Sequence, residues 1–420
     1  AQHHAVVQNG GTFTNEGDVT TKAGGKVALY SENGSFESTK DGVISSENGG
    51  IAIFAKDSSG AVKGRVNVGD TVGNNTGIGV YLDASSTKTI TFSDDAMLNL
   101  GKGTVGLYSE DASKFGSGFA INALKTSIGD GAALAYFGST GTGNITSGTL
   151  SNLTVLKMGD KSTLIYGDTG SEINVDDSVD ITKYSNVSAT AQFLVSNQGI
   201  ATVNSGKTIT SNLKTTISGL NGATVTNEGT LALTGKDGAV GIYSNASTVK
   251  NKKIITTANE GSVAIYGKTG STLTNEGTGE ITTSRKSSVG IFADSSTATN
   301  EIGGKITTSG TESAGIYGTN NSTVKNAGVI TTEETESAGI YANESNATNE
   351  STGTITSKKG SSAGIYATSK TAKNIKNEGT IEVGLATAPS ETQGVGIYAE
   401  LTSGSGVLDI SNSKNINIHI

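Results

Sequence analysis

The sequence predicts an all-β chain wound as a right-handed parallel β-solenoid, or β-helix, of roughly 15 rungs. Three observations carry the prediction. The first is composition: Gly, Thr, Ser and Asn supply nearly half of the 420 residues, with 59 Gly against 1 Pro, 0 Cys and 0 Trp. Gly, β-branched and short polar residues are poor helix formers, so helical bundles and helical repeats are excluded. The second is a phrase ending in an aromatic that recurs every two to three dozen residues. The third is an intervening phrase that joins turn residues to a short alternating strand. A fixed period of 20–50 residues marks a solenoid, propeller or array, and a propeller blade needs about 40 residues, more than the usual interval here.

The anchor phrase is an apolar residue, a small one, an aliphatic and an aromatic. It begins as Val27-Ala28-Leu29-Tyr30 and returns at 51–54, 78–81, 105–108, 134–137 and 163–166. It resumes at 240–243, 263–266, 289–292, 314–317, 338–341, 363–366 and 395–398. The jump from Tyr166 to Tyr243 is about three periods, and Ala191-Gln192-Phe193-Leu194 and Leu220 fill it. Strand alternation places Ala338, Ile340 and Ala342 on one face, read as the interior, and Gly339 and Tyr341 on the other. The aromatics Tyr243, Tyr266, Phe292, Tyr317, Tyr341, Tyr366 and Tyr398 then form a stacked structural ladder. Its sharper alternative is a solvent-facing stripe that stacks on sugar rings or partner side chains.

The second phrase reads Thr226-Asn227-Glu228-Gly229 and Lys376-Asn377-Glu378-Gly379, followed by x-Ile-x-Thr in several copies. Asn and Gly both tolerate positive φ, so Asn-x-Gly reads as the turn between strands. The alternating segment after it reads as a half-buried strand. Pro is absent from this array because each rung's N–H pairs with the next rung. Pro389 falls in the longest interval, where a loop is expected. Residues 223–420 read as a regular array. Residues 1–222 keep the period with longer, less similar rungs, and extra length means side loops that carry recognition. The aromatics outside the anchor position lie in this first part, and Phe92, Phe115, Phe119 and Tyr184 are the candidate binding residues.

Chemistry is sparse. The three His are His3, His4 and His419, so the body has no imidazole base, and zero Cys removes disulfides, thiolate metal sites and Cys nucleophiles. His3-His4 reads as a terminal remnant rather than a metal site. Asp176, Asp177 and Asp180 are a candidate Ca²⁺ or glycosidase cluster, and Asp94-Asp95 a second, against solvated turns as the plain reading. Arg65 and Arg285 are the only Arg, and neither lies near an acid cluster in sequence. No cofactor is expected. A net charge of −8, with 30 Lys+Arg against 38 Asp+Glu, argues against nucleic-acid binding. No apolar stretch reaches the length of a membrane-spanning helix.

The phrases Asn-Glu-Gly-Thr-Ile (377–381), Ser-Ala-Gly-Ile-Tyr-Ala (337–342) and Gly-Val-Gly-Ile-Tyr-Ala-Glu (394–400) resemble the passenger repeats of large monomeric autotransporters, most closely the giant adhesins of Fusobacterium. The resemblance covers most of the chain and is strongest over 223–400. It implies a monomeric, surface-exposed β-helical passenger fragment, held at the outer membrane through a C-terminal barrel absent from this chain. It also implies that the passenger binds a host cell-surface protein, a glycan or other bacteria. The family has no catalytic residues to carry over. The expected function is therefore a non-enzymatic adhesin. The alternatives are a β-solenoid carbohydrate-active enzyme using Asp176, Asp177 and Asp180, and a passive stalk that displays a distal binding domain.

Overall fold

The computed structural model describes residues 3–93, 96–121, 123–146, 148–384, 394–402 and 406–419. Pro389, Asp94 and Asp95 lie outside the described residues. The chain is a parallel β-solenoid of about 15 rungs, nearly all of its regular structure being strand. It divides into two compact units, Ala1–Thr202 and Val203–Ile420. In each, most rungs supply three short strands that pair parallel with the same strands of the next rung.

In the first unit the leading strands stack from His3–Gln8 through Val27–Glu32 and Ile51–Lys56 to Gln192–Asn197. His3 and His4 thus begin a paired strand, which replaces the expected terminal remnant. In the second unit the stack runs from Thr215–Leu220 to Val395–Leu401. One rung there consists of Ala314–Thr319, Thr323–Asn326 and Val329–Thr332. The two four-residue strands alternate outward and buried positions, as x-Val-x-Asn and x-Ile-x-Thr require. Val324, Ile330 and their equivalents are fully buried and form the aliphatic core.

The leading strand departs from simple alternation. Gly339 and Ile340 both face inward: a Cβ on Gly339 would collide with Ile355 Cγ2 of the core and lie 2.8 Å from the Gly364 carbonyl. Ala338, 8% exposed, borders the groove beside half-buried Tyr341, and Ala342 returns to the interior. The expected pairing of Ala338 with Ile340 and of Gly339 with Tyr341 is corrected accordingly. A strict period of two misses the local irregularity, which inserts a second inward residue. Register makes a second correction. Tyr108, Tyr136 and Tyr166 are successive partners, so Tyr136 belongs to the aromatic row and Phe137 is core. Val195 and Ser218 occupy that row in the gap, rather than Phe193 and Leu220.

The Asn of the second phrase is not a turn residue. Asn227, Asn251, Asn275, Asn300, Asn326, Asn349 and Asn377 are fully buried and form an internal ladder. Each donates from Nδ2 to the Oδ1 of the next, at 2.8 Å from Asn227 as far as Asn377 and at 2.7 Å from Asn377 to Asn412. A primary amide suits this role because it carries two donors and one acceptor oxygen, so each ring of the ladder gives and receives. Buried serines do the same for backbone groups: the N–H of Ser288, Ser313 and Ser337 donates to Oγ of Ser313, Ser337 and Ser362 at 3.2–3.3 Å. Cross-rung ladders explain why one residue type must recur at one place in every rung.

Candidate aromatic trench

The four predicted binding aromatics are interior. Phe92 is 0%, Phe115 and Phe119 are 1% and Tyr184 is 6% exposed. Phe92 and Phe119 sit at inward positions of the strands Ile90–Phe92 and Phe119–Ile121, where Phe92 pairs in register with Ile121 and Phe119 with Ile90. Phe115, in the short segment Lys114–Ser117, packs against Phe137 with ring centroids 5.1 Å apart. Burial raises the Tyr184 pKa well above the ordinary phenol value, and Asp177 and Asp180 add to the shift. These rings pack in the interior of the first unit. Their assignment as a binding surface is therefore corrected to core packing.

The acid cluster is dispersed among local structural tasks. Asp177 is buried, and its Oδ2 accepts from the N–H of Leu150 at 2.6 Å and of Ser151 at 3.1 Å. Asp180 caps the short 3-10 helix Ile181–Lys183 by accepting from the N–H of Thr182 at 2.9 Å. Among the described residues no group of three or more His, Cys, Asp or Glu is placed to hold a metal ion. His419 lies 2.9 Å from Glu382 Oε2.

The aromatic rows form where the sequence places them. In the second unit Tyr243, Tyr266, Phe292, Tyr317, Tyr341, Tyr366 and Tyr398 are consecutive ring neighbours, with centroids 4.5–5.7 Å apart. They are half-buried on the outer surface, and Tyr398 is 37% exposed. In the first unit Tyr30, Phe54, Tyr81, Tyr108, Tyr136 and Tyr166 form the corresponding row. There the hydroxyls of Tyr108 and Tyr136 donate to Glu110 and Asp168. Burial and these carboxylates raise both phenol pKa values.

The second unit adds a groove that the first-pass pattern misses because it depends on the inward shift at Gly339. Its volume is about 610 Å³. Val289, Ala314, Ala338, Ala363 and Val395 line one side; Tyr317, Tyr341, Tyr366 and Tyr398 line the other. Ser287, Glu312, Glu336 and Ser361 stand at the rim. The signal in the sequence was the change from Val to Ala at 314, 338 and 363, which lowers the floor beside the rings.

Ring orientation changes along this trench. Tyr317 and Tyr341 stack at 6° and Tyr366 and Tyr398 at 10°, whereas Tyr341 meets Tyr366 at 89°. Offset-stacked and edge-to-face pairs are both favourable arrangements of aromatic rings, so the row holds together through the change of angle. The trench thus offers apolar floor, phenol edges, one aromatic junction and a polar rim. Glu312 is paired with Lys286 at 2.7 Å, and that contact lowers its carboxyl pKa.

The rim residues share a left-handed backbone that recurs at turns along the chain, as at Lys161 in the first unit. Ser287, Glu312, Glu336 and Ser361 all have φ between 56° and 59°. The preceding rungs hold Gly238 and Gly261 at the equivalent place. A left-handed conformation costs a non-Gly L-residue roughly 1–2 kcal/mol. Over the trench, side chains replace the residue that this backbone favours.

Comparison with known proteins gives one family match. Residues 128–408, about two thirds of the chain, match the model of the BigA third pectate lyase-like domain. No curated protein and no solved structure matches the chain.

Proposed function

Because this chain belongs to the BigA third pectate lyase-like domain family, we propose that it is a surface-exposed bacterial adhesin-type passenger that binds its targets without catalysis. The partners proposed are a host cell-surface protein or glycan, or another bacterium. The observation that carries the reading is the repeated outer surface: rung after rung presents the same half-buried aromatic, and in the second unit the row borders an open apolar trench. Such a surface offers contact area without an array of converging acid and base groups. Asp177 and Asp180 are engaged by backbone N–H groups, which supports binding over chemistry. The repeats, which resemble those of autotransporter passengers, support placement on the outer face of the outer membrane. No helix among the described residues is long and apolar enough to cross a membrane, which leaves open anchoring by a β-barrel.

The test is adhesion. Beads coated with the chain are expected to attach to epithelial cells or to partner bacteria, and the soluble chain is expected to compete. Absence of attachment to either surface would refute the proposal. Release of reducing ends from polysaccharides, with or without Ca²⁺, would replace it by the carbohydrate-active enzyme.

A further inference from the structure

We infer that the trench of the second unit binds a linear, uncharged glycan lying along the stack of rungs. The inference rests on the adhesin reading and names the ligand class of one site within it. Spacing is the first argument. Neighbouring rungs are about 4.8 Å apart, so the floor and ring pattern repeats at that interval. An extended polypeptide repeats its side chains on one face every 6.4–6.8 Å or so and falls out of step within a few rungs. A pyranose unit is close to one rung in length, so successive sugars meet successive copies of the same surface.

Surface chemistry is the second argument. The methyl floor of Ala314, Ala338 and Ala363 and the half-buried rings of Tyr317, Tyr341 and Tyr366 beside it suit the C–H faces of sugar rings. Rim serines and carboxylates suit their hydroxyls, since charged acceptors make the stronger hydrogen bonds. Charge is the third. The lining contains two carboxylates, Glu312 and Glu336, and no Lys or Arg. A uronate or sialylated chain would meet like charge at Glu336, and the cation beside this rim, Lys286, is already paired with Glu312. For a basic peptide, Glu312 is already neutralised by Lys286.

The experiment presents the whole chain to an array of neutral hexose and N-acetylhexosamine oligosaccharides, uronate-bearing and sialylated chains, and Lys/Arg-rich peptides. Any hit is followed by calorimetry. Ala338→Gln fills the floor without touching the ring ladder. Glu336→Gly removes a rim carboxylate while restoring the residue that the backbone favours, so its fold is expected to be retained. Amide hydrogen exchange checks both variants. Expected results are binding of a neutral oligosaccharide, a loss of about tenfold or more in Ala338→Gln and of several-fold in Glu336→Gly, and little dependence on salt. Binding confined to acidic glycans or basic peptides overturns the inference, as does neutral-glycan binding that both folded variants retain. Adhesion by a chain that binds no glycan overturns the inference and leaves the adhesin reading standing. A chain that neither adheres nor binds glycans removes both.

Discussion

Asn300→Ala is expected to destabilise the second unit by about 3–5 kcal/mol, mainly by breaking the internal amide ladder. Asn300 is fully buried; its Oδ1 accepts from Asn275 at 2.8 Å, and its Nδ2 donates to Asn326 Oδ1 at 2.8 Å and to the Gly304 carbonyl at 3.1 Å. Each neutral hydrogen bond contributes about 1 kcal/mol net, and a buried group left unpaired costs roughly 1–3 kcal/mol more. Asn326 Oδ1 loses its ladder donor, whereas Asn275 Nδ2 keeps the carbonyls of Gly279 and Lys305. The control is Asn412→Ala: Asn412 is exposed and accepts from Asn377 alone among its ladder neighbours, so about 1 kcal/mol or less is expected. Long repeat arrays depart from two-state unfolding, so urea midpoints should be read together with amide exchange of the rungs around residue 300. Asn300→Asp adds a pH arm. It keeps the shape but faces a carboxylate toward Asn326 Oδ1, so it should be worst near neutral pH and partly recover in acid, where the carboxyl can donate. If Asn300→Ala costs no more than Asn412→Ala, the ladder is not what holds this corner.

Other outcomes follow from the same geometry. Gly339→Ala should cost about 1–3 kcal/mol by overpacking against Ile355, while the neighbouring Ala338→Gly should cost under about 1 kcal/mol; equal costs in thermal melts would contradict the inward shift. Asp177→Ala should cost about 2–4 kcal/mol, since the N–H of Leu150 is left buried, and added Ca²⁺ should shift the melting temperature of neither form. Alkaline stability should be flat up to about pH 10, the ordinary phenol value, and fall above it. Burial, reinforced by Glu110 and Asp168, raises the Tyr108 and Tyr136 pKa values in the folded chain. The folded state therefore keeps protons that the unfolded state releases, and rising pH favours unfolding. Tyrosinate absorbance at 295 nm should lag in the native protein, and a lag-free titration would be inconsistent with the raised values.

The period, the three-strand rung and the aromatic row were legible because stacking forces each position to repeat, and repetition can be counted. The amide ladder was misread for a definite reason. Asn before Glu-Gly has the composition of a turn, and only the register, which stacks Asn227 on Asn251 and Asn251 on Asn275, distinguishes an internal donor–acceptor chain from positive-φ geometry. Exposed aromatics were sought where the pattern was irregular. Large aromatic side chains gain most from burial, however, and Phe92, Phe115 and Phe119 lie in the interior. The trench escaped because alternation by two placed Ala338 in the core. One additional inward residue at Gly339 turns the Ala338 row outward beside the tyrosines.

Where stacking fixes most positions, specificity has to be written in rows that the ladder does not constrain. The Asn, Ser, Gly339 and core aliphatic rows are each held by contacts to the rungs on either side, and a change there costs stability. The rim row is different. Its backbone favours Gly, and Gly238 and Gly261 supply it in the preceding rungs, yet Ser287, Glu312, Glu336 and Ser361 stand there over the trench. At roughly 1–2 kcal/mol for each left-handed residue, offset in part by the flexibility that Gly adds to the unfolded chain, the row has a net folding cost. The Lys286–Glu312 pair is exposed and screened by solvent, so it offsets little of this cost. Left-handed non-Gly residues stand equally at Lys161 in the first unit and at Ala246, Thr269, Ser295 and Glu344 in the second, so that cost is common to the turns; what distinguishes the rim row is its place beside the trench, where Ser and Glu exchange without breaking a ladder.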